Sequence, residues 1–140
     1  MAKISDTPEE IGSHALSILI PDEILRSFEL RKVIENESEL LFDLEEKETC
    51  IPIDLKGKDV VLNGYLNSTT LQSFPLKGKH CYIHLRRRRW KLKSISETES
   101  KSYHNEYEYT ASGTMATKAF GAFLKRNSLI AIPSRLAQSL

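Results

Sequence analysis

Little in this sequence stabilises or anchors the chain from outside its own core. Only Cys50 and Cys81 among 140 residues are cysteine, too few for a disulfide framework, so a reduced, cytoplasmic setting is expected. No apolar run approaches the roughly 18 residues of a membrane span. The longest run near the start, residues 15–20, follows acids rather than lysines, so neither a signal peptide nor an anchor is read. Close cysteine pairs of the zinc type are missing, and so is a glycine motif of the kind that cradles phosphate. Even net charge is scarce: 20 basic and 19 acidic residues leave +1.

The distribution of that charge is far from even. Up to Asp54 the chain holds five basic and fourteen acidic residues, net −9, and the remainder holds fifteen and five, net +10. Such asymmetry points to a polyanion-binding surface or to an internal electrostatic clamp. Between Leu76 and Lys93, the cations Lys77, Lys79, Arg86, Arg87, Arg88, Arg89, Lys91 and Lys93 occur without one carboxylate.

A chain of this length with 40% hydrophobic residues can bury a core as a single domain. Residues 1–14 are polar and acidic without periodic apolar pattern and read as a mobile tail. Pro21-Asp22-Glu23, followed by Ile24, Leu25 and Phe28, predicts a short helix over 21–28. Residues 30–34 and 40–44 flank Glu35-Asn36-Glu37-Ser38 and predict a hairpin; a further strand piece is expected over 50–55, at an edge because of Pro52. A strand over 60–66 should bend at Gly64, and Lys77-Gly78-Lys79 marks a turn before the longest strand candidate, 80–93.

Residues 94–102 read as a hydrophilic turn. Over 103–109, Tyr103, Asn105, Tyr107 and Tyr109 alternate with His104, Glu106 and Glu108, which predicts an antiparallel partner for the arginine strand, with Glu106 and Glu108 paired to arginines. Thr114 is expected to cap a helix over 114–126 whose apolar stripe is Ala116, Ala119, Phe120, Phe123 and Leu124. The expected architecture is α+β: one domain over 15–126, an antiparallel sheet with a short N-terminal helix and a C-terminal helix packed on it, and a loosely ordered tail over 127–140.

Arg86-Arg87-Arg88-Arg89-Trp90, with Lys91 and Lys93, is the most informative constellation. The guanidinium fork fits phosphate oxygens bidentately, and an interleaved tryptophan can stack on a base. These residues, together with Lys77 and Lys79, are the candidate DNA contacts. The competing reading is a strand end neutralised by Glu106, Glu108 and the acidic first third. His80, Cys81 and His84, with Cys50 or His104, are the residues from which a metal site would be gathered, but a strand places Cys81 and the two histidines on opposite faces, so no metal is expected. No catalytic site and no cofactor are read from the sequence.

The runs Thr70-Leu71-Gln72-Ser73-Phe74-Pro75-Leu76-Lys77-Gly78-Lys79, Tyr82-Ile83-His84-Leu85 with the arginine block, and Gly113-Thr114-Met115-Ala116-Thr117-Lys118-Ala119-Phe120 resemble the N-terminal region of bacterial insertion-sequence transposases of the ISAon group. More distantly they resemble the ISL-three transposase family. The opening residues 19–25 with Phe28-Glu29 are also similar, so that the likeness covers most of 17–126.

The resemblance implies a region that helps recognise the terminal inverted repeats of the element. DNA cleavage and joining would then belong to a following catalytic region or partner subunit. The wider family carries zinc-type cysteine pairs before and after the basic strand. Here Lys56-Gly57-Lys58 and Trp90 stand in those places. A protein-interaction or oligomerisation module, in which the arginine strand docks an acidic partner, is the alternative expectation.

Overall fold

Three helix-starting signals coincide at the first element of the computed structural model, which describes residues 2–93, 101–110 and 115–140. Thr7 is extended and its hydroxyl accepts from the Glu10 amide, Pro8 opens the first turn, and Glu9 and Glu10 sit by the positive end of the helix. Helix α1 (Pro8–Leu19) follows. The expectation of a tail over 1–14 is thereby corrected. None of its residues is fully buried, and Ile11 and Ile18 face solvent while Leu16 and Leu19 lean on the core, so its apolar pattern is faint. The helix expected over 21–28 is a single turn, α2 (Asp22–Leu25), because Phe28 already begins a strand.

The predicted hairpin forms. Strands β1 (Phe28–Glu35) and β2 (Glu39–Glu46) pair antiparallel, and the Asn36 side-chain oxygen closes the turn by accepting from the amides of Ser38 (2.9 Å) and Glu39 (2.7 Å). No strand forms over 50–55: Pro52 leads into a short 3-10 turn, Ile53–Leu55, that buries Leu55. Strand β3 (Val60–Tyr65) bends at Gly64, whose φ of +77° lies in the left-handed region, and the ladder shifts register there. Strands β4 (Thr69–Leu76) and β5 (Lys79–Arg86) form a second hairpin around Lys77 and Gly78.

The long strand expected over 80–93 is divided. The chain remains extended but changes partners at Arg87: β5 pairs with β2 and β4, whereas β6 (Arg88–Leu92) pairs antiparallel with β3. The main sheet has the order β1-β2-β5-β4, and β3 and β6 form a separate two-stranded ribbon. The fold is α+β and mostly antiparallel. The β2–β5 pair is parallel, however, with Leu40 opposite Cys81 and Phe42 opposite Ile83, so the purely antiparallel sheet expected from sequence is corrected.

Alternation along the two central strands divides the sheet into faces. On one, Phe42, Leu44, Leu71, Cys81, Ile83 and Leu85 pack with Ile20, Ile24 and Phe28 into the main core. Residues 103–109 cross this face. As the sequence predicts, Tyr103, Asn105, Tyr107 and Tyr109 turn inward and His104, Glu106 and Glu108 outward. Tyr107 and Tyr109 stack on each other and meet the Phe28 ring edge-on. Among the described residues, pairing with the arginine strand is nevertheless confined to one bridge, Trp90 to Tyr103.

Helix α3 (Lys118–Arg126) is capped by Thr117 rather than Thr114, which lies outside the described residues, as does most of the turn expected over 94–102. Phe120 and Leu124 are buried with Ala116, and Phe74 packs edge-on against Phe120 and Phe123; Ala119 is exposed. Nor are residues 127–140 loose. Short helix α4 (Arg135–Gln138) is anchored by Glu39, whose carboxylate accepts from the Ser134 hydroxyl at 2.7 Å and the Arg135 amide at 3.0 Å. Gln72 and Tyr82 bind the backbone of Ile132 on the outer face of the sheet.

Candidate nucleic-acid interface

The change of partners at Arg87 decides where each arginine side chain goes. Arg86 ends β5 on the outer face of the main sheet, half exposed, 3.6 Å from Glu45 and stacked over the Tyr65 ring at 4.9 Å. Arg87 turns to the other side, where it donates to the Asn105 carbonyl (3.1 Å) and to Glu106 (3.3 Å). The pairing expected for Glu106 is therefore present; Glu108 forms no ion pair among the described residues.

Arg88 is buried. Its amide donates to the Glu46 carboxylate at 2.8 Å, its Nε to the Glu46 carbonyl at 2.7 Å and its Nη2 to Glu45 at 2.9 Å. The second oxygen of Glu46 accepts from Asn105 and from the Tyr107 hydroxyl, so a carboxylate with no exposed surface is saturated. Burial, reinforced by the bond to this carboxylate, pushes the Tyr107 phenol well above its ordinary range. Trp90 lies inward on the same side of β6 as Arg88 and is buried, its indole N–H without a partner among the described residues. A guanidinium enclosed by Glu45 and Glu46 and a buried indole do not face a nucleic acid. The physical reason is the period of two, which turns alternate residues of β6 into the protein.

The same period turns Arg89 and Lys91 to the opposite face of the ribbon, and Lys93 follows just beyond its end. Arg89 donates from Nε to the Asn63 carbonyl at 2.7 Å, and its guanidinium lies against Gly64, where a β-carbon would stand 3.1 Å from Nη2. Lys93 is exposed, and its amide extends the ribbon by bonding the Asp59 carbonyl at 3.0 Å. Of the remaining candidates, Lys77 is exposed at the β4–β5 turn, and Lys79 is bound to Glu35 at 2.7 Å. That bond holds the Glu35 carboxyl below its ordinary value. The nine residues expected to act together therefore lie apart: Arg88 and Trp90 in a buried node, Arg89, Lys91 and Lys93 along the ribbon, Lys77 and Lys79 at a distant turn, and Arg86 and Arg87 on opposite sides of the chain where it passes between the two sheets.

The acidic first third is not a detachable shield over the basic segment. Its strand β2 lies inside the sheet, and its Glu45 sits within reach of Arg31, Arg86 and Arg88 together. The internal clamp read from the charge arithmetic is thus present for Arg86 and Arg88. Cys81 is buried in the core and burial pushes its thiol up to about 11, whereas His84 lies on the outer face of the sheet and His80 is exposed. Searches of protein-family models, of curated proteins and of solved structures return no match to this chain.

Proposed function

We propose that this chain is a DNA-binding module of the kind found at the start of insertion-sequence transposases. It would bind the ends of a mobile element in the bacterial cytoplasm and leave strand chemistry to a catalytic region or partner. The observation that carries this reading is the outer face of the β3–β6 ribbon. Arg89 and Lys91 alternate there within β6, about 6.6 Å apart at the usual rise of a strand, and exposed Lys93 follows just past the strand's end.

A two-stranded ribbon fits the major groove of duplex DNA, and cations along its face can follow a phosphate backbone. Arg87, Arg88 and Trp90 then act as the frame that holds the ribbon, Arg86 stays with the main sheet, and Lys77 and Lys79 lie outside the contact. Among the described residues no helix is long and apolar enough to cross a membrane, which suits a protein that meets DNA in solution.

A salt titration of binding to duplex, single-stranded and RNA oligonucleotides tests the reading. Changing Arg89, Lys91 and Lys93 to Gln should lower the salt slope by about 2.7, on the rule of about 0.9 per phosphate contact, whereas Arg87→Gln should leave it unchanged. Binding that is undetectable at low salt would instead favour a protein-interaction module for an acidic partner. Binding that survives the triple change would remove the ribbon face from the site.

A further inference from the structure

A cleft lies away from the ribbon, between the outer face of β4 and β5 and the C-terminal segment, with a volume of about 980 Å³. That is the size of a small-molecule site. Its floor is made by the alternate residues Tyr82, His84 and Arg86 of β5 with Thr70 of β4, and its opposite wall by apolar residues around Ile130 and Ile132. Arg86 and Lys125 line it, and no Asp or Glu side chain does among the described residues.

His84 is nine-tenths buried, and its Nδ1 is held at 2.7 Å by the Thr70 hydroxyl. No other group among the described residues bonds the ring. When the Thr70 hydroxyl donates to Nδ1, the tautomer carries its proton on Nε2 and presents a donor. Arg86 is ion-paired with Glu45 at 3.6 Å without a hydrogen bond, and its half-exposed guanidinium has further donors to offer a second anion.

We propose that this cleft binds a small organic anion, a carboxylate on an aliphatic body. Arg86 and the His84 ring receive the head, and residues 129–133 cover the body. The charge of the lining selects the anion, and the apolar wall contributes by removing the aliphatic part from water. Nothing in this site depends on DNA binding, because Arg89, Lys91 and Lys93 lie on the ribbon.

Octanoate and octanol serve as probes, followed by the His84 and Ile132 resonances in NMR titrations of the full chain. Octanoate should saturate and shift both residues, and octanol should bind at least about tenfold more weakly, as expected when a charge-assisted bond is lost. Arg86→Gln should weaken octanoate by a similar factor and leave octanol unchanged. Ala137→Phe, which fills the cleft without touching the charged end, should weaken both. Failure of octanoate to saturate in the millimolar range, equal affinity for acid and alcohol, or an unaltered response in Arg86→Gln would each overturn the proposal.

Discussion

Arg88 and Glu46 bind each other twice through different groups, the arginine amide to the carboxylate at 2.8 Å and the guanidinium Nε to the glutamate carbonyl at 2.7 Å. Through this pair the ribbon is fixed to the end of β2, and through Asn105 and Tyr107 the same carboxylate fixes the segment crossing the core. A cation that looks like part of a docking run in the sequence is thus the connection between two sheets.

Arg88→Ala should destabilise the fold by about 3–5 kcal/mol, the usual cost of stranding a buried charge partner. Arg87→Ala removes contacts at the surface and should shift the denaturation midpoint little. Urea unfolding of the two variants beside the parent measures the difference. Equal, small losses would mean that Arg88 does not hold the ribbon.

The C-terminal anchor should release in acid. Burial alone would raise the Glu39 carboxyl above its ordinary 4.5, but the Ser134 hydroxyl, the amides of Arg135 and Leu136 and the nearby His80 together hold it below. A carboxyl depressed in the folded state favours docking fully above 4.5 and loses that contribution as pH falls through its lowered value. Protection factors at residues 134–138, taken relative to the intrinsic exchange rate at each pH, should therefore fall selectively on acidification, and Glu39→Gln should abolish that pH dependence. A uniform fall in protection across the whole chain would refute the anchor.

The two thiols should differ in reactivity. Cys50 is half-buried, with its Sγ 3.5 Å from the Ser27 carbonyl, and Cys81 lies in the core with its thiol pushed up to about 11. A disulfide reagent at neutral pH should label Cys50 first and reach Cys81 only at the rate of unfolding, because the thiolate is the reacting species. Peptide mapping of a timed reaction reads the order. Simultaneous labelling in the folded protein would contradict the burial of Cys81.

Trp90, the single tryptophan, gives a readout of whether the arginine block opens. Buried at 6% exposure, it should be poorly quenched by iodide, and saturating duplex DNA should leave its emission nearly unchanged. Strong quenching on DNA addition would indicate stacking on a base and would displace the contact from the ribbon face to the buried side of β6.

What the sequence could reveal follows from the range over which each feature is encoded. The β1–β2 hairpin, the bend at Gly64 and the alternation over 103–109 are written in neighbouring residues, and all three stand. The parallel β2–β5 pair is not, because its partners are brought together by chain that carries no local record of the pairing. For the same reason four adjacent arginines look equivalent until Glu46, 42 positions earlier, claims one of them. The docking of residues 129–140 was equally hidden, since it rests on Glu39, Gln72 and Tyr82, all distant in sequence.

The placement of β2 has a consequence for how the protein is made. This strand, which buries Leu41, Phe42 and Leu44, is synthesised long before β5, and Leu40 waits 41 positions for Cys81. On the ribosome the first hairpin therefore emerges with an apolar edge and no neighbour, and the sheet closes only after β5 has left the exit tunnel. The acids at the ends of this strand, Glu39, Glu45 and Glu46, with Glu37 and Glu48 just beyond them, then act as temporary protection, repelling a second nascent hairpin until their later partners arrive.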